Sequence, residues 1–172
     1  PRAGARADLV WLPATGGALH PVMPLHGLGQ PHFRQDPERV FVFQHVEPDP
    51  AARSGLVSVR MDGSDLRVHA RGELFADEWP GAERGGPMNA PLISPDGKHL
   101  LLQRQRQLWL ADLPATDAPA NLSLSDASLR PVGGPGGEFP AWTADGRSIG
   151  FSLGRSIFRY ELATGKLQES VV

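Results

Sequence analysis

Residues 90–103 read APLISPDGKHLLLQ, residues 140–153 read PAWTADGRSIGFSL, and residues 30–43 read QPHFRQDPERVFVF. Each runs an apolar residue, a two-residue gap, an Asp, then Gly or Pro, a basic or polar residue and a run of β-formers. Asp36, Asp96 and Asp145 are the register marks, with steps of 60 (36 to 96) and 49 (96 to 145) residues. An Asp suits this place because its short carboxylate accepts hydrogen bonds from backbone N–H groups ahead of it and tolerates left-handed geometry. Gly97 and Gly146 supply the positive φ that a tight hairpin needs. Each unit is therefore expected to open with a strand, a turn and a second strand.

A second pair follows each opening pair. Residues 56–70 (LVSVRMDGSDLRVHA) alternate at Val57, Val59 and Met61 and turn at Asp62-Gly63; residues 107–113 (QLWLADL) and 156–162 (SIFRYEL, then Thr164-Gly165 and residues 167–171) repeat the plan. Residues 8–22 (DLVWLPATGGALHPV) match these second pairs and lack an opening pair. The expected architecture is all-β, a partial propeller of about three and a half four-stranded antiparallel blades side by side. The half blade covers 7–22 and the full blades cover 30–70, 90–132 and 138–172, in one propeller segment. Pro-, Gly- and Ala-rich stretches at 47–54, 72–89 and 114–128 read as surface loops inserted into it. The Pro and Asp, Asn and Ser residues within 114–128 argue against a helix there.

Composition agrees. Gly 20 and Pro 17 in 172 residues leave little room for long helices, and 40% hydrophobic against 21% charged residues is enough apolar surface to fold. A net charge of −2 disfavours a nucleic-acid partner, and zero cysteines exclude disulfides, thiolate metal sites and cysteine nucleophiles. No stretch approaches the roughly 18–20 apolar residues of a membrane helix, so no membrane span is expected. The start of the sequence has no Met, basic region or apolar region, which reads as a piece of a longer chain.

The segment SPDGK at 94–98 followed by LLL and LWLADL (108–113) resembles the PD40, or TolB-like, propeller repeat; TADGR at 143–147 is similar, and QDPER at 35–39 is a degenerate copy. More narrowly, 136–147 (GGEFPAWTADGR), the SLGRSIFRYEL that follows, and 55–63 (GLVSVRMDG) are similar to the propeller portion joined to bacterial metal-dependent amidohydrolases. The resemblance implies a bacterial, periplasmic or secreted protein. It also implies a non-catalytic module for recognition or support, or alternatively the accessory part of a hydrolase whose catalytic barrel lies outside this chain. Implied partners are another protein or the rest of the same one, with self-association through open blade edges as a further route.

Gly146-Arg147-Ser148-Ile149-Gly150 has the G-x-S-x-G form, but a nucleophile elbow needs a strand, turn and helix, and Ser148 enters a β-run. His20, His26 and His32 recur every six residues without H-x-H or H-E-x-x-H spacing, so no metal or other cofactor is assigned. Gly133, Gly134, Gly136 and Gly137 lead into a strand and not a P-loop helix. Arg104 and Arg106 alternate onto one solvated strand or hairpin face. Asp36, Asp96 and Asp145 recur once per unit, which suits turns better than one catalytic constellation. Trp109, Trp142, Phe43, Phe151 and Phe158 read as inter-sheet packing, worth about 1.5–3 kcal/mol each when buried. The structural turn set is thus Asp36, Asp96, Gly97, Asp145 and Gly146. Trp79, either packed as a lid or offered to a ligand, forms with Glu78 and Arg84 the candidate ligand-facing rim. A carbohydrate or peptide ligand on the inserted loops is a third functional reading.

Overall fold

Alternating apolar residues and Asp-Gly turns produce strands throughout the computed structural model, which describes residues 7–25, 31–34, 36–44, 55–71, 91–104, 106–115, 118–122 and 129–172. Among these residues there are fifteen strands and no helix. The chain divides into two compact units, Pro1–Trp79 with Asp117–Leu122, and Pro80–Thr116 with Ser123–Val172.

The first unit opens with the hairpin β1 (Ala7–Trp11) and β2 (His20–Leu25), which pair antiparallel. Then come β3 (His32–Phe33), β4 (Arg39–Gln44), β5 (Gly55–Arg60) and β6 (Arg67–Arg71), a meander in which each strand pairs antiparallel with the next. Alternation sorts the faces of this sheet. Val40, Val42, Val57 and Val59 point to one side and meet Val22, Leu9, Met23 and Leu25 of the hairpin in a buried aliphatic core. Arg39, Phe41 and Ser58 take the opposite side, because Phe41 lies directly across from Ser58 in the register.

A fifth strand, β10 (Ala120–Asn121), pairs in parallel with β6 through Ala120↔Ala70 and Asn121↔Arg71. These two residues fall in the stretch expected to be a loop, and they join a sheet expected to hold four antiparallel strands. The cause lies in the backbone: β6 ends the meander with one side free of strand partners, and Leu122 N–H also donates to Arg71 O at 2.8 Å.

The second unit holds two four-stranded sheets. One comprises β7 (Leu92–Ile93), β8 (His99–Arg104), β9 (Gln107–Asp112) and β11 (Arg130–Pro131); the other comprises β12 (Glu138–Trp142), β13 (Ser148–Leu153), β14 (Ser156–Glu161) and β15 (Leu167–Val171). Leu101, Leu108, Leu110 and Val132 of the first pack with Ile149, Phe151 and Phe158 of the second. Phe151 and Phe158 stack with centroids 5.2 Å apart. Trp142 adds a polar lock between β12 and β7, its indole N–H donating to Leu92 O at 3.0 Å. Phe43, Phe151 and Phe158 are buried as the pattern implies.

Candidate functional site

The recurring Asp residues come first, since they are the most repeated chemistry in the chain. Each accepts the backbone N–H two residues on: Asp36 from Glu38 at 2.9 Å, Asp96 from Lys98 at 3.1 Å, and Asp145 from Arg147 at 3.0 Å. Asp62 does the same with Ser64 at 2.9 Å. Asp96 and Asp145 sit third in four-residue turns closed by Gly97 N–H to Ser94 O (2.9 Å) and Gly146 N–H to Thr143 O (2.8 Å). The closing glycines have φ of 78° and 69°, left-handed values that a side chain would disfavour. The two turns are also neighbours, since a β-carbon on Gly146 would lie 3.3 Å from Pro95 Cδ.

A hydroxyl completes both turns, and sequence reasoning fixed on Asp overlooked it. Ser94 Oγ donates to Asp96 (2.6 Å) and accepts His99 N–H (3.0 Å); Thr143 Oγ1 donates to Asp145 (2.6 Å) and accepts Ser148 N–H (3.0 Å). The recoverable signal was a Ser or Thr two residues before each D-G. The Thr143 hydroxyl and Arg147 N–H hold the Asp145 carboxyl below the ordinary carboxylate value. Partial burial pushes Asp96 up, but hydrogen bonds from Ser94 and Lys98 outweigh it, so its pKa also falls. These carboxylates are committed to their own turns.

The densest polar cluster lies elsewhere, on the face of the first unit's larger sheet that carries Phe41. Arg39 Nη1 donates to Ser58 Oγ and to Asp65 O, each at 2.9 Å, and its Nη2 pairs with the Asp65 carboxylate, which Arg67 also engages at 2.9 Å. Ser58 Oγ meets His69 Nε2 at 2.7 Å. The His69 ring lies 5.1 Å from the ring of Phe41, which also faces His32 and the Arg34 guanidinium. Burial, then the charges of Arg34, Arg39 and Arg67, push His69 down to about 4, so its imidazole is neutral at pH 7. Arg67, partial desolvation and Arg39 act together on Asp65, with a net lowering. Ser, His and Asp occur here together, but Asp65 serves the two arginines, and Ser58 is fully buried against Arg39 and His69. A triad needs the carboxylate on the imidazole and an exposed hydroxyl. The arrangement fastens strands. None of Arg39, Ser58, Asp65 or His69 was singled out from the sequence, because their contacts cross three strands and an irregular register between Leu56 and Val57.

No protein-family model matches the sequence, and no curated protein matches it. Solved structures do. TolB from Acinetobacter baumannii is similar with a TM-score of 0.51 at 16% identity, over 92% of this chain and 36% of TolB. An oligogalacturonate lyase in complex with manganese is similar with a TM-score of 0.50 at 18% identity, over 94% of this chain and 41% of the lyase. The fold is that of a TolB-like β-propeller. This propeller segment spans well under half the length of either protein.

Ser148 is the first residue of β13, buried, its Oγ accepting from Arg159 Nε at 3.1 Å. His20 stacks on Trp11 at 4.0 Å and His32 on Phe41 at 5.6 Å, while His26 lies outside the described residues. Among the described residues, no three His, Asp or Glu side chains come together as metal ligands. The Gly133–Gly137 stretch connects β11 to β12. Arg106 occupies the β8–β9 turn at φ 68° and is exposed. The rim residues Glu78, Trp79 and Arg84 lie outside the described residues.

Proposed function

We propose that this propeller segment is a non-catalytic recognition module of TolB-like type, working in the bacterial periplasm or outside the cell within a larger protein, and that its partner is another protein. The observation that carries this reading is the use made of the repeated carboxylates. An Asp placed once per unit, engaged each time by the N–H two residues on, serves a turn in every unit; a reaction needs one convergent set of groups. The buried Ser58–His69 pair, with Arg39 on the hydroxyl, supports the same reading, because its chemistry is spent on holding strands. A propeller offers rigid blades with loops at their ends, and loops on a rigid scaffold are where recognition residues concentrate.

The experiment is partner capture from a bacterial envelope extract with the 172-residue chain and with a variant lacking residues 72–89, followed by purified-component binding of whatever is retained. Saturable binding by the intact chain that the deletion abolishes is the expected result. Equal binding by both proteins would remove Trp79, Glu78 and Arg84 from the contact, and turnover of an envelope substrate by the isolated chain would overturn the non-catalytic reading.

A further inference from the structure

Three described non-glycine residues have positive φ: Asp65 at 52°, Arg106 at 68° and Phe139 at 54°. Asp tolerates that region because its side chain bonds locally, whereas Arg and Phe crowd their own backbone there. Arg106 and Phe139 belong to one locus. Gly137 N–H donates to Arg106 O at 2.8 Å, and the Arg106 guanidinium lies 3.7 Å from the Glu138 carboxylate. Their surroundings fix them. A β-carbon on Gly136 would collide with Arg106 O, and one on Gly137 would come within 2.6 Å of Ser152 O. Gln103 Nε2 also donates to Gly137 O at 2.7 Å. The backbone from Gly136 to Phe139 is therefore set before any ligand arrives. Its consequence is that the Phe139 ring stands 69% exposed, although the aromatic core of Phe151 and Phe158 belongs to the same sheet. Strain kept in order to hold an apolar ring in water points to recognition.

We propose that Phe139 is a stacking platform for a hexopyranose bearing an N-acetyl group, with Arg106 and Glu138 holding the acetamide. The face of an aromatic ring is electron-rich and receives polarised C–H edges, which a pyranose presents in a row. A guanidinium only donates hydrogen bonds and a carboxylate only accepts them. Side by side they match a ligand group that does both, as an acetamide does with its C=O and N–H. The 3.7 Å pair is exposed on both sides and contributes little to stability, so it is open to such an insertion. An extended peptide fits less well. β12 is the edge of its sheet, but Pro140 has no N–H and the register breaks between Glu138 and Ala141, so strand addition finds no continuous ladder. The inference rests on reading the chain as a recognition module, and it uses residues separate from 72–89.

The test is an NMR titration of the 172-residue chain with the β-1,4-linked tetramer of N-acetylglucosamine. Saturable shifts of the Phe139 ring and of the Glu138 and Ala141 amides are expected. Phe139→Ala should bind about tenfold more weakly or worse, and Phe139→Trp as well or better. Phe139→Gly is the folding control: it accepts φ 54° without strain, so it should fold at least as well and still lose the sugar. No saturable shift up to the solubility limit of the sugar, or undiminished binding by Phe139→Ala, overturns the proposal. The same shifts with N-acetyl-tetraalanine amide and none with the sugar would assign the surface to peptides and overturn it too. A null titration alongside intact, 72–89-dependent partner binding would sink this site alone.

Discussion

The sheet that opens at Asp145 and the sheet that opens at Asp36 share one hydrogen bond and differ in almost everything around it. At Asp145 the fastening is local: Thr143 bridges the carboxylate and the Ser148 N–H, and Gly146 closes the turn. At Asp36 the residue two before is Arg34, Pro37 replaces the glycine, and Arg39 N–H reaches Asp36 O at only 3.4 Å. Pro37 pre-sets φ for the second position of a turn, so Asp36 becomes the first residue of its turn where Asp145 is the third. Tertiary contacts replace what the turn lacks. Arg39, three residues after Asp36, bonds Ser58 on the next strand; Ser148, three after Asp145, is bonded by Arg159 of the next strand. Both pairs run on the same diagonal, since Ser58 faces Phe41 and Arg159 faces Gly150 in the register, with arginine and serine exchanged. A blade can thus be opened by a strong turn or by a buried guanidinium.

Removing the guanidinium is the most damaging way to break that equivalence. Arg39→Met keeps much of the volume but leaves Ser58 Oγ and Asp65 O without the guanidinium that serves them and the Asp65 carboxylate to Arg67 alone, and should cost about 2–3 kcal/mol, the range for hydrogen bonds to charged groups. Native-state amide exchange should show residues 40–43 and 56–59 losing protection while 149–152 keep theirs. Equal losses in both sheets would mean that they are not separately fastened.

A pH scan separates the sheets more gently. His69 has a native pKa of about 4 against 6.5 for the ordinary ring. As pH falls through 6.5 the unfolded chain takes up a proton that the native state refuses until about 4. Its contribution is therefore complete above 6.5, declines between 6.5 and 4, and amounts to roughly 1–2 kcal/mol once solvent screening of the half-buried ring is allowed for. The sheet over 138–171 contains no histidine and should be flat across the same window. His69→Gln should flatten the other sheet as well, and a persistent slope in that variant would move the effect to another group.

What could be read from the sequence follows the range of the interactions. Asp-Gly turns and period-two alternation are local, so the strands around 96 and 145, a strand pair within 7–22 and the buried Phe151 and Phe158 were all legible from residue order. The Asp36 turn was legible only as a degenerate copy, because Pro37 hides the shift in turn position. The Arg39 cluster was not legible: side chains from three strands and the β5–β6 connection meet there only once the register is known. β10 escaped for a similar reason, since two residues in a Pro- and Ala-rich stretch carry no periodicity and gain their strand from the free side of β6. Phe139 sits within the 136–147 motif, but its left-handed φ follows a backbone that Gln103 and Arg106 hold at Gly137.

Weakening the local fastening should do less than removing Arg39. Thr143→Val preserves shape and deletes the hydroxyl that serves both Asp145 and Ser148 N–H, at a cost of about 1 kcal/mol. The loss should appear as faster exchange at Ser148 and Arg147, with residues 40–43 unaffected. Arg159 still holds Ser148 Oγ in this variant, so β13 should stay paired with β14.

Acid gives the smallest effect and the finest comparison. The Asp145 and Asp96 carboxyls titrate below the ordinary 3.8, so each stabilises its turn at any pH above that value and ceases to as pH drops through its lowered native pKa. Protonation weakens the acceptor facing Arg147 N–H and Lys98 N–H, and those two amides should move upfield together below 3.8 while the strands remain paired. Thr143→Val should raise the pH at which Arg147 responds, because the hydroxyl is the foremost cause of the lowering at Asp145. Lys98, whose turn keeps Ser94, should not follow it. If the two amides still moved in step in the variant, the hydroxyl would not be what distinguishes these turns from the one at Asp36.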